Sequence, residues 1–437
     1  MEDDDPVALL FAGRFVDVDT GLAVEPPTRE VHIEESLEGR EVELITRLDL
    51  GDHLVVVADP DTRRVLGERV IGALRRAAKV TEVQLDAHPH ADMATAAEIA
   101  RRAESADALI AVGSGTINDL CKYASAQLGV PYVVFATAPS MNGYLSANAA
   151  ITDKGHKKSL PAHVPAAALF DLRVLSEAPA RMIHSGLGDS LCRATAQSDW
   201  LLAHYLRNVP YRQAPFDLLA ADEEHLFAEA EALVRGGIDA MRSLVRTLVL
   251  SGAGMTLCGS SQPASQGEHL ISHYIDMMAP AERGEHLHGV QVGVTTLTMA
   301  RLQDSLLNGP PPVVSETKPE RDDVIAHFGA ETGEACWQEF TKKRLTSREV
   351  DGFNERIAAR WDDLRAAIEP IWRSPRELAG ILERAGASTT PESIEASKTF
   401  YRNAVTHARE LRNRYTFLDL AGDAGRLGAA FGGEPRA

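Results

Sequence analysis

The sequence predicts an N-terminal α/β domain with a parallel, Rossmann-like sheet, followed by an all-α C-terminal domain. Between residues 54 and 136, short continuous apolar runs alternate with amphipathic stretches. Continuous apolar runs are typical of strands buried on both faces, as in a parallel sheet. After about residue 180 the strand pattern ends and long helical patterns follow. The predicted domains are therefore residues 1–180 and 181–437.

Each predicted element rests on its own apolar pattern. Residues 1–50 are mixed and indicate an irregular entry with one or two short strands. The strands are predicted at 54–58, 80–85, 108–112 and 131–136. Between them, helices are predicted at 62–78, at 93–104 and from after Thr116 to about Leu128. Apolar residues at helical spacing then predict helices at 190–206, 222–235, 237–251, 266–277, 288–307 and several after 346. The Pro-rich segment 308–320 predicts a loop.

Composition excludes several classes of function. The 437 residues carry 45 Lys and Arg against 63 Asp and Glu, a formal net charge of −18. Such a protein repels phosphate backbones and anionic lipids, so we expect no nucleic-acid binding and no membrane insertion. The four cysteines are far apart, which argues against a disulfide framework and against a thiolate zinc site. The acidic N-terminus and the lack of an apolar run of ~20 residues favour a cytoplasmic protein.

A glycine turn lies between the predicted strand 108–112 and the helix after it. It reads Gly113, Ser114, Gly115 and Thr116. Small residues let a ligand approach the backbone, and the start of the helix favours a pyrophosphate. The order differs from the ordinary Rossmann fingerprint, because the acidic strand end Asp59 precedes the glycines instead of following them. A tight turn without a ligand is the alternative interpretation.

A second polar loop follows the strand at 131–136. Thr137, Ser140 and Asn142 are small hydrogen-bonding residues in this loop. Because the carboxyl ends of parallel strands meet at one edge of a sheet, we expect this loop to lie beside the glycine turn, where nucleotides bind. The alternative is a Pro/Asn/Gly turn without a ligand.

A group of histidines and one carboxylate forms the strongest candidate site. His269 and His273 are spaced i, i+4 and share one face of a predicted helix. His288 opens the next helix, and Asp189 lies upstream in Gly-Leu-Gly-Asp. Two imidazoles and one carboxylate make a ligand set that leaves metal positions open for substrate. Ordinary polar histidines are the alternative, and the pattern is not the His-Glu-x-x-His of zinc proteases.

Two adjacent lysines form a minor candidate site. Lys157 and Lys158 lie in a predicted loop of an otherwise acidic protein. Ammonium groups there would hold a substrate phosphate as point charges. Solvated surface is the alternative interpretation.

Five segments occur together in the order found in a known family. They resemble the sn-glycerol-1-phosphate dehydrogenases of the iron-containing alcohol dehydrogenase and dehydroquinate synthase-like superfamily. The resemblance covers roughly residues 50–300, and the last third of the chain matches only as generic helix. The segments are Gly-Ser-Gly-Thr-Ile-Asn-Asp119, Thr137-Ala-Pro-Ser-Met-Asn-Gly143, Gly186-Leu-Gly-Asp189, Glu268-His-x-x-x-His273 and His288-Gly-x-Gln-Val-Gly293.

The resemblance implies a dehydroquinate synthase-like fold, with a nucleotide-binding α/β domain and a helical metal- and substrate-binding domain. It implies NAD(P)H-dependent reduction of dihydroxyacetone phosphate to sn-glycerol 1-phosphate. Carried over by motif position, the metal ligands are Asp189, His269 and His288. By the same resemblance, His273 is expected to contact substrate, and we expect it to relay a proton because an imidazole titrates near neutral pH. The metal that the resemblance implies is zinc, with nickel or iron as alternatives.

The residues implied for the dinucleotide, NAD or NADP, follow the same motifs. Asp59 is expected at an adenosine ribose hydroxyl, which favours NAD over NADP because a carboxylate repels a 2′-phosphate. A small anionic substrate and a homo-oligomeric state are also expected. The remaining cofactor-binding residues are Gly113, Ser114, Gly115, Thr116, Ile117, Asp119, Thr137, Ser140 and Ser146.

One residue departs from the family pattern. Asn142 stands where the family usually has Asp, at a position that contacts substrate, so hydrogen bonding is kept and the charge is lost. The departure leaves a phosphate ester allowed and keeps a different polyol or ketone open. Three further functions stay open: a cyclising lyase of the dehydroquinate synthase type, a metal hydrolase and a non-catalytic ligand-binding relative.

Overall fold

The computed structural model describes residues 5–153, 156–280, 284 and 286–431. The chain forms two compact units. The first comprises Met1–Ser190 with Gln213–Ser260, and the second comprises Leu191–Arg212 with Ser261–Ala437. The chain therefore leaves and re-enters the first unit. A domain division at residues 180 and 181 stays a prediction.

A parallel sheet forms the centre of the first unit. Among its described residues, six parallel strands lie in the order β1-β8-β5-β4-β2-β3, and β6 and β7 form a separate antiparallel hairpin. The predicted parallel α/β domain is confirmed. The strands are β1 Glu30–Glu34, β2 His53–Ala58, β3 Lys79–Gln84, β4 Ala108–Gly113, β5 Tyr132–Ala136, β6 Asn148–Asp153, β7 His156–Pro161 and β8 Ala167–Asp171.

The burial of the strands explains their sequences. Every residue of β4, β5 and β8 is buried, because helices cover both faces of the sheet. At the edge, β3 reads Lys-Val-Thr-Glu-Val-Gln and is only partly buried. Continuous apolar strands therefore lie inside the sheet, and the mixed strand lies at its rim.

Helices pack around this sheet. Asp59, Asp92 and Asp171 begin three of them by accepting a hydrogen bond from the backbone N–H three residues later. The helices of this unit are α1 Pro6–Phe11, α2 Glu41–Thr46, α3 Pro60–Thr62, α4 Glu68–Leu74, α5 Met93–Arg102, α6 Gly115–Leu128, α7 Leu172–Ser176, α8 Ala180–Leu191, α10 Ala214–Asp217, α11 Ala220–Ala228, α12 Ala230–Leu233 and α13 Ile238–Cys258.

The described residues of the second unit form helices joined by loops, with no strand among them, as predicted. Its core gathers apolar side chains from most of its helices, with Trp361 and Phe340 fully buried. None of the helices in the described part of the chain combines the length and hydropathy needed to cross a membrane. The helices are α9 Arg193–Arg207, α14 Gly267–Met278, α15 His288–Leu307, α16 Arg321–Phe328, α17 Ala330–Phe340, α18 Val350–Ile368, α19 Pro375–Arg384, α20 Lys398–His407 and α21 Phe417–Asp423.

Candidate active site

The glycine turn lies at the carboxyl end of β4, in the first unit. Gly113 is the last residue of the strand, and Ser114 precedes α6 without a side-chain cap. A Cβ atom at Gly113 would lie 2.5 Å from the Cβ of Ile117, so only glycine fits there without displacing the helix. The N–H groups of an uncapped first turn need acceptors. The turn therefore offers a cradle for an anion.

The loop after β5 lies directly beside this turn. The Thr137 N–H donates to the Gly113 carbonyl at 3.1 Å, which joins the two strand ends. A Cβ at Gly186 would lie 1.8 Å from the Pro139 carbonyl oxygen, and one at Gly252 would lie 2.7 Å from the Asn142 carbonyl oxygen. α8 and α13 therefore approach the loop backbone closely and hold it in place. The expected proximity of loop and turn is observed.

A buried lysine fixes the far end of the same loop. Lys122 on α6 is fully buried and donates to the Gly143 carbonyl at 2.7 Å and to the Asn148 carbonyl at 3.1 Å. Its ammonium also lies 3.3 Å from Ser146 Oγ. Burial lowers the pKa of Lys122, an effect that the Asp119 carboxylate at 3.6 Å opposes. The helix that begins at the glycine turn therefore also anchors the polar loop.

The two acidic residues predicted to bind cofactor accept hydrogen bonds from backbone N–H groups of the first unit. Asp59 accepts from the Thr62 N–H at 2.8 Å and begins α3 at the end of β2. Asp119 is buried and accepts from the Ala150 N–H at 3.0 Å, which ties α6 to β6. Asp59 is only partly buried, so a ribose can still reach it. The cofactor roles of both residues stay predictions.

Three histidines come together in the second unit. The ring centroids of His269 and His288 lie 5.1 Å apart, and a side-chain nitrogen of each lies within 4.8 Å of the other. The ring centroid of His273 lies 5.9 Å from that of His269 and 5.6 Å from that of His288, on which it stacks. α14 supplies two of the rings and the first residue of α15 supplies the third. Two imidazoles at this separation fit a single divalent ion.

Carboxylates orient these rings. Glu268 is fully buried, and its Oε1 lies 2.9 Å from His269 Nδ1. A proton on Nδ1 places the lone pair on Nε2, the form of imidazole that binds a metal. His288 Nδ1 lies 3.3 Å from Ser272 Oγ and 3.9 Å from the Asp276 carboxylate. The donor chemistry of His269 and His288 thus fits the metal that the sequence predicted.

A second potential donor group shares His269. Cys192, Glu268 and His269 are all buried, with one donor atom of each within 4.8 Å of the others. The two oxygens of Glu268 already accept hydrogen bonds, from the Gln266 N–H at 2.7 Å and from Thr195 Oγ1 at 3.3 Å. We therefore interpret Glu268 as the hydrogen-bond partner of His269.

A buried carboxylate supports the start of α14. Asp199 on α9 accepts from the Gly267 N–H at 2.9 Å and from the Phe417 N–H at 2.8 Å. Burial, together with the nearby Glu268 carboxylate, raises the pKa of Asp199 well above its usual range. Asp199 therefore joins the first turns of α14 and α21 and fixes the helix that carries His269.

Asp189 and Asn142 belong to the first unit and contact each other. Asp189 Oδ2 accepts from the Asn142 backbone N–H at 2.7 Å, and both residues are buried. The Asn142 Nδ2 group is buried without an acceptor among the described residues. Burying an amide donor without an acceptor is unfavourable, so this group indicates a place for a ligand oxygen.

Of the two candidate lysines, only Lys158 has a described side chain. Lys158 on β7 is exposed and forms an ion pair with Asp153 at 2.7 Å. The side chain of Lys157 lies outside the described residues. A role of either lysine in holding phosphate stays a prediction, and the ion pair already offsets the charge of Lys158.

Sequence reasoning missed the residues that support the site. Glu268, Asp199 and Lys122 are charged residues that are fully buried. Their signal in the sequence is weak, because each is one charged residue within an otherwise ordinary helical pattern. Lys122 and Asp199 interrupt apolar helix faces, which is the one feature that marks them.

Comparison with known proteins identifies relatives. A family model described as iron-containing alcohol dehydrogenase matches residues 32–179. A glycerol-1-phosphate dehydrogenase, NAD(P)+, from Thermococcus sibiricus is 34% identical over 274 residues, which are 63% of this chain and 77% of the relative. A protein of the same name from Bacillus velezensis is 30% identical over 387 residues, 86% of each chain.

Solved structures share the fold at low identity. A probable glycerol dehydrogenase from Sinorhizobium meliloti 1021 has a TM-score of 0.58 at 16% identity, covering 92% of this chain and 97% of that chain. Maleylacetate reductase from Rhizobium sp. strain MTP-10005 has a TM-score of 0.59 at 15% identity, covering 93% and 97%. These likenesses concern the fold alone. By its sequence relatives, the chain belongs to the iron-containing alcohol dehydrogenase family.

Proposed function

We propose that this protein is a metal-dependent, NAD(P)-linked dehydrogenase that reduces dihydroxyacetone phosphate to sn-glycerol 1-phosphate. The observation that carries the proposal is the pair His269 and His288, oriented by buried Glu268, in a member of this family. The names of the relatives support the substrate. The uncapped glycine turn supports the dinucleotide.

The proposed metal ligands are His269, His288 and Asp189. Asp189 is buried, and the Asn142 N–H fixes one of its oxygens. It precedes Leu191, the first residue of the second unit, by two positions on α8. A divalent ion held by these residues supplies Lewis acidity for polarising a carbonyl group. We propose zinc as this ion, with nickel or iron as alternatives.

The proposed role of His273 is proton transfer to the substrate oxygen. It stands one helical turn after His269 and stacks on His288 at 5.6 Å, so it is near the proposed ligands without being one of them. An imidazole is suited to this role because its ordinary pKa lies near neutral pH. Asn142 donates from Nδ2 to a substrate oxygen, which satisfies a group that is otherwise buried without an acceptor.

The proposed cofactor site is the edge of the sheet in the first unit. The dinucleotide supplies the hydride. The N–H groups after Ser114 bind its pyrophosphate, and Thr137 and Ser140 contact it from the neighbouring loop. Asp59 accepts from an adenosine ribose hydroxyl and favours NAD over NADP.

The test is an oxidation assay of the purified protein. NADH and NADPH consumption is followed with dihydroxyacetone phosphate and with unphosphorylated ketones, after loading with zinc, nickel or iron. We expect steady NADH turnover with dihydroxyacetone phosphate and none after chelation. Turnover with another ketone but not with dihydroxyacetone phosphate would show that the proposed substrate is wrong. Metal-dependent hydrolysis without NAD(H) binding would contradict the proposal.

A further inference from the structure

Two arginines near the C-terminus are largely buried without a direct counter-charge. Arg412 and Arg414, here called the arginine pair, follow the 3-10 helix Ala408–Leu411 and precede α21. Within the described residues, no carboxylate oxygen lies within 4.0 Å of either guanidinium. Neighbouring buried cations do have such partners, since Lys343 pairs with Asp419 at 2.8 Å and Arg409 pairs with Asp423 at 2.7 Å.

One member of the pair is held against the segment that leads into α14. Arg414 Nη2 donates to Ser261 Oγ at 2.7 Å, and Nη1 donates to the Ser265 carbonyl. Ser265 precedes His269 by four residues. A guanidinium has more N–H donors than these two bonds use. Arg414 is therefore fixed against the segment that precedes His269, with donors remaining for a ligand.

The electrostatics of the pair are unfavourable without an anion. Burial, and then the charge of Arg412, lower the pKa of Arg414 to about 9, an effect that Glu268 opposes. Burial also lowers the pKa of Arg412, and Glu339 is the acidic residue that opposes it. Buried charges in proteins are normally paired. Both residues keep partial exposure, so an ion from solvent can reach them.

We propose that Arg412 and Arg414, with Ser261, bind the phosphate group of the substrate. The inference rests on the proposed function and assigns its phosphate subsite to the second unit. Arginine suits this task because its planar fork of donors matches phosphate oxygens. The sequence pattern suggested the lysine pair for this role, but Lys158 forms a direct ion pair with Asp153, whereas neither arginine forms one with a described residue. A phosphate monoester on the cofactor, the 2′-phosphate of NADP, shares the same chemistry.

The experiment measures phosphate binding and kinetics in Arg412→Ala. Arg412 is the better member to replace, because Arg414 also holds the segment before α14. Isothermal titration with inorganic phosphate, on metal-loaded protein without cofactor, gives a readout independent of turnover. The expected rise in the phosphate Kd is about 10- to 100-fold, as for the loss of a hydrogen bond to a charged group. The KM for dihydroxyacetone phosphate rises by a similar factor, and the preference over unphosphorylated dihydroxyacetone decreases.

Arg348→Ala is the matched control. Arg348 is an exposed arginine of the same unit, so its replacement removes the same charge from the surface. A phosphate Kd that changes equally in both variants, or in neither, would overturn the proposal. A rise in the KM for NADPH without one for dihydroxyacetone phosphate would assign the pair to the cofactor and also overturn it. A lower thermal midpoint with unchanged phosphate affinity would show a structural role only.

The two proposals fail in distinguishable ways. If the protein turns over dihydroxyacetone phosphate and Arg412→Ala binds phosphate normally, the subsite is wrong and the function stands. If no NAD(P)H is consumed but the variant loses phosphate affinity, an anion site exists and the proposed reaction is wrong. Arg412→Lys retains the charge without the fork, so its phosphate Kd is expected between those of the natural protein and Arg412→Ala.

Discussion

The candidate cofactor site and the histidine centre differ in whether backbone or side chains form them. In the first unit, the site consists of backbone and small residues, where Gly113 and Gly186 leave no room for a Cβ atom. In the second unit, it consists of large side chains on helices, held by the buried carboxylates Glu268 and Asp199. The shape of the first site therefore depends on the absence of side-chain atoms, and that of the second depends on hydrogen bonds and charge.

This difference determines which substitutions each site tolerates. A site formed by backbone loses ligand affinity when a side chain is added to one of its glycines, even a single methyl group. A side-chain centre fails when a group is removed or its charge is changed, even at constant volume. Substitutions of these two kinds therefore separate the two regions.

The largest effect is expected for His269→Ala. Loss of a proposed ligand removes the ion and, with it, several kcal/mol of charge stabilisation, so activity decreases by about 1,000-fold or more. Metal content and NADH turnover are measured together. His225→Ala, which removes an exposed histidine of the first unit, is the control. Full metal content in His269→Ala would show that the ligand set is wrong.

Glu268→Gln tests whether charge at constant shape matters in the second unit. The amide keeps the volume but no longer stabilises the His269 tautomer as a carboxylate does, so metal affinity decreases by about 10- to 100-fold. Competition with a chromogenic chelator measures this affinity. Glu331→Gln, at an exposed position of α17, serves as the control. Equal metal affinity in the two variants would contradict the positioning role of Glu268.

Gly113→Ala tests the requirement for space in the first unit. The new Cβ meets the Ile117 side chain at 2.5 Å, whereas a Cβ at Gly115 meets the flexible Met141 Sδ at 3.0 Å. Overpacking of about 1–3 kcal/mol predicts a roughly tenfold weaker NADH affinity for Gly113→Ala and a smaller change for Gly115→Ala. Fluorescence titration with NADH measures both. Gly72→Ala is the control, because nothing lies within 4 Å of a Cβ atom at Gly72. A larger loss of NADH affinity for Gly115→Ala than for Gly113→Ala would contradict the steric explanation.

The smallest effect concerns a second imidazole pair of the second unit. His327 stacks on His407 at 3.7 Å, and its Nε2 lies 2.8 Å from Tyr274 Oη, while His407 Nδ1 lies 2.9 Å from Glu410. Burial, and then His407, lower the pKa of His327 to about 4. As pH falls from ~6.5 towards 4, the unfolded chain binds a proton that the folded protein does not, so the free energy of unfolding decreases.

Thermal midpoints recorded across this range check the pH effect. His327→Gln is expected to lose stability less steeply between about pH 6.5 and pH 4, while behaviour above pH 7 stays the same apart from a constant offset. His225→Gln, at an exposed site, keeps the natural slope. Parallel curves of thermal midpoint against pH for the natural protein and His327→Gln would show that His327 does not contribute to the loss of stability in acid.

The parallel sheet was predictable because its strands are buried on both faces. β2, β4 and β5 carry continuous apolar runs, and the structure places strands over nearly the predicted residues. The hairpin of β6 and β7 was not predicted, because its pattern is interrupted by polar residues such as those in His-Lys-Lys-Ser of β7. β8 is short and begins with two alanines, which give little strand signal.

The histidine centre was predictable only in part. His269 and His273 share a helix face by spacing, and the structure brings His288 to them. Asp199 and Arg414 act through contacts that join distant parts of the chain, such as Asp199 with Phe417, 218 residues away. Local periodicity carries no information about such contacts, so supporting residues escaped sequence reasoning while the imidazoles did not.

The sharing of one carboxylate by two helix starts has a consequence for local opening. Asp199 accepts from both the Gly267 and the Phe417 amides, so release of either helix start leaves a buried acceptor half satisfied. We therefore expect the two amides to exchange as one cooperative unit, although most of the second unit's sequence separates them. We therefore expect local opening at the start of α21 to weaken the start of α14, the helix that carries His269 and His273.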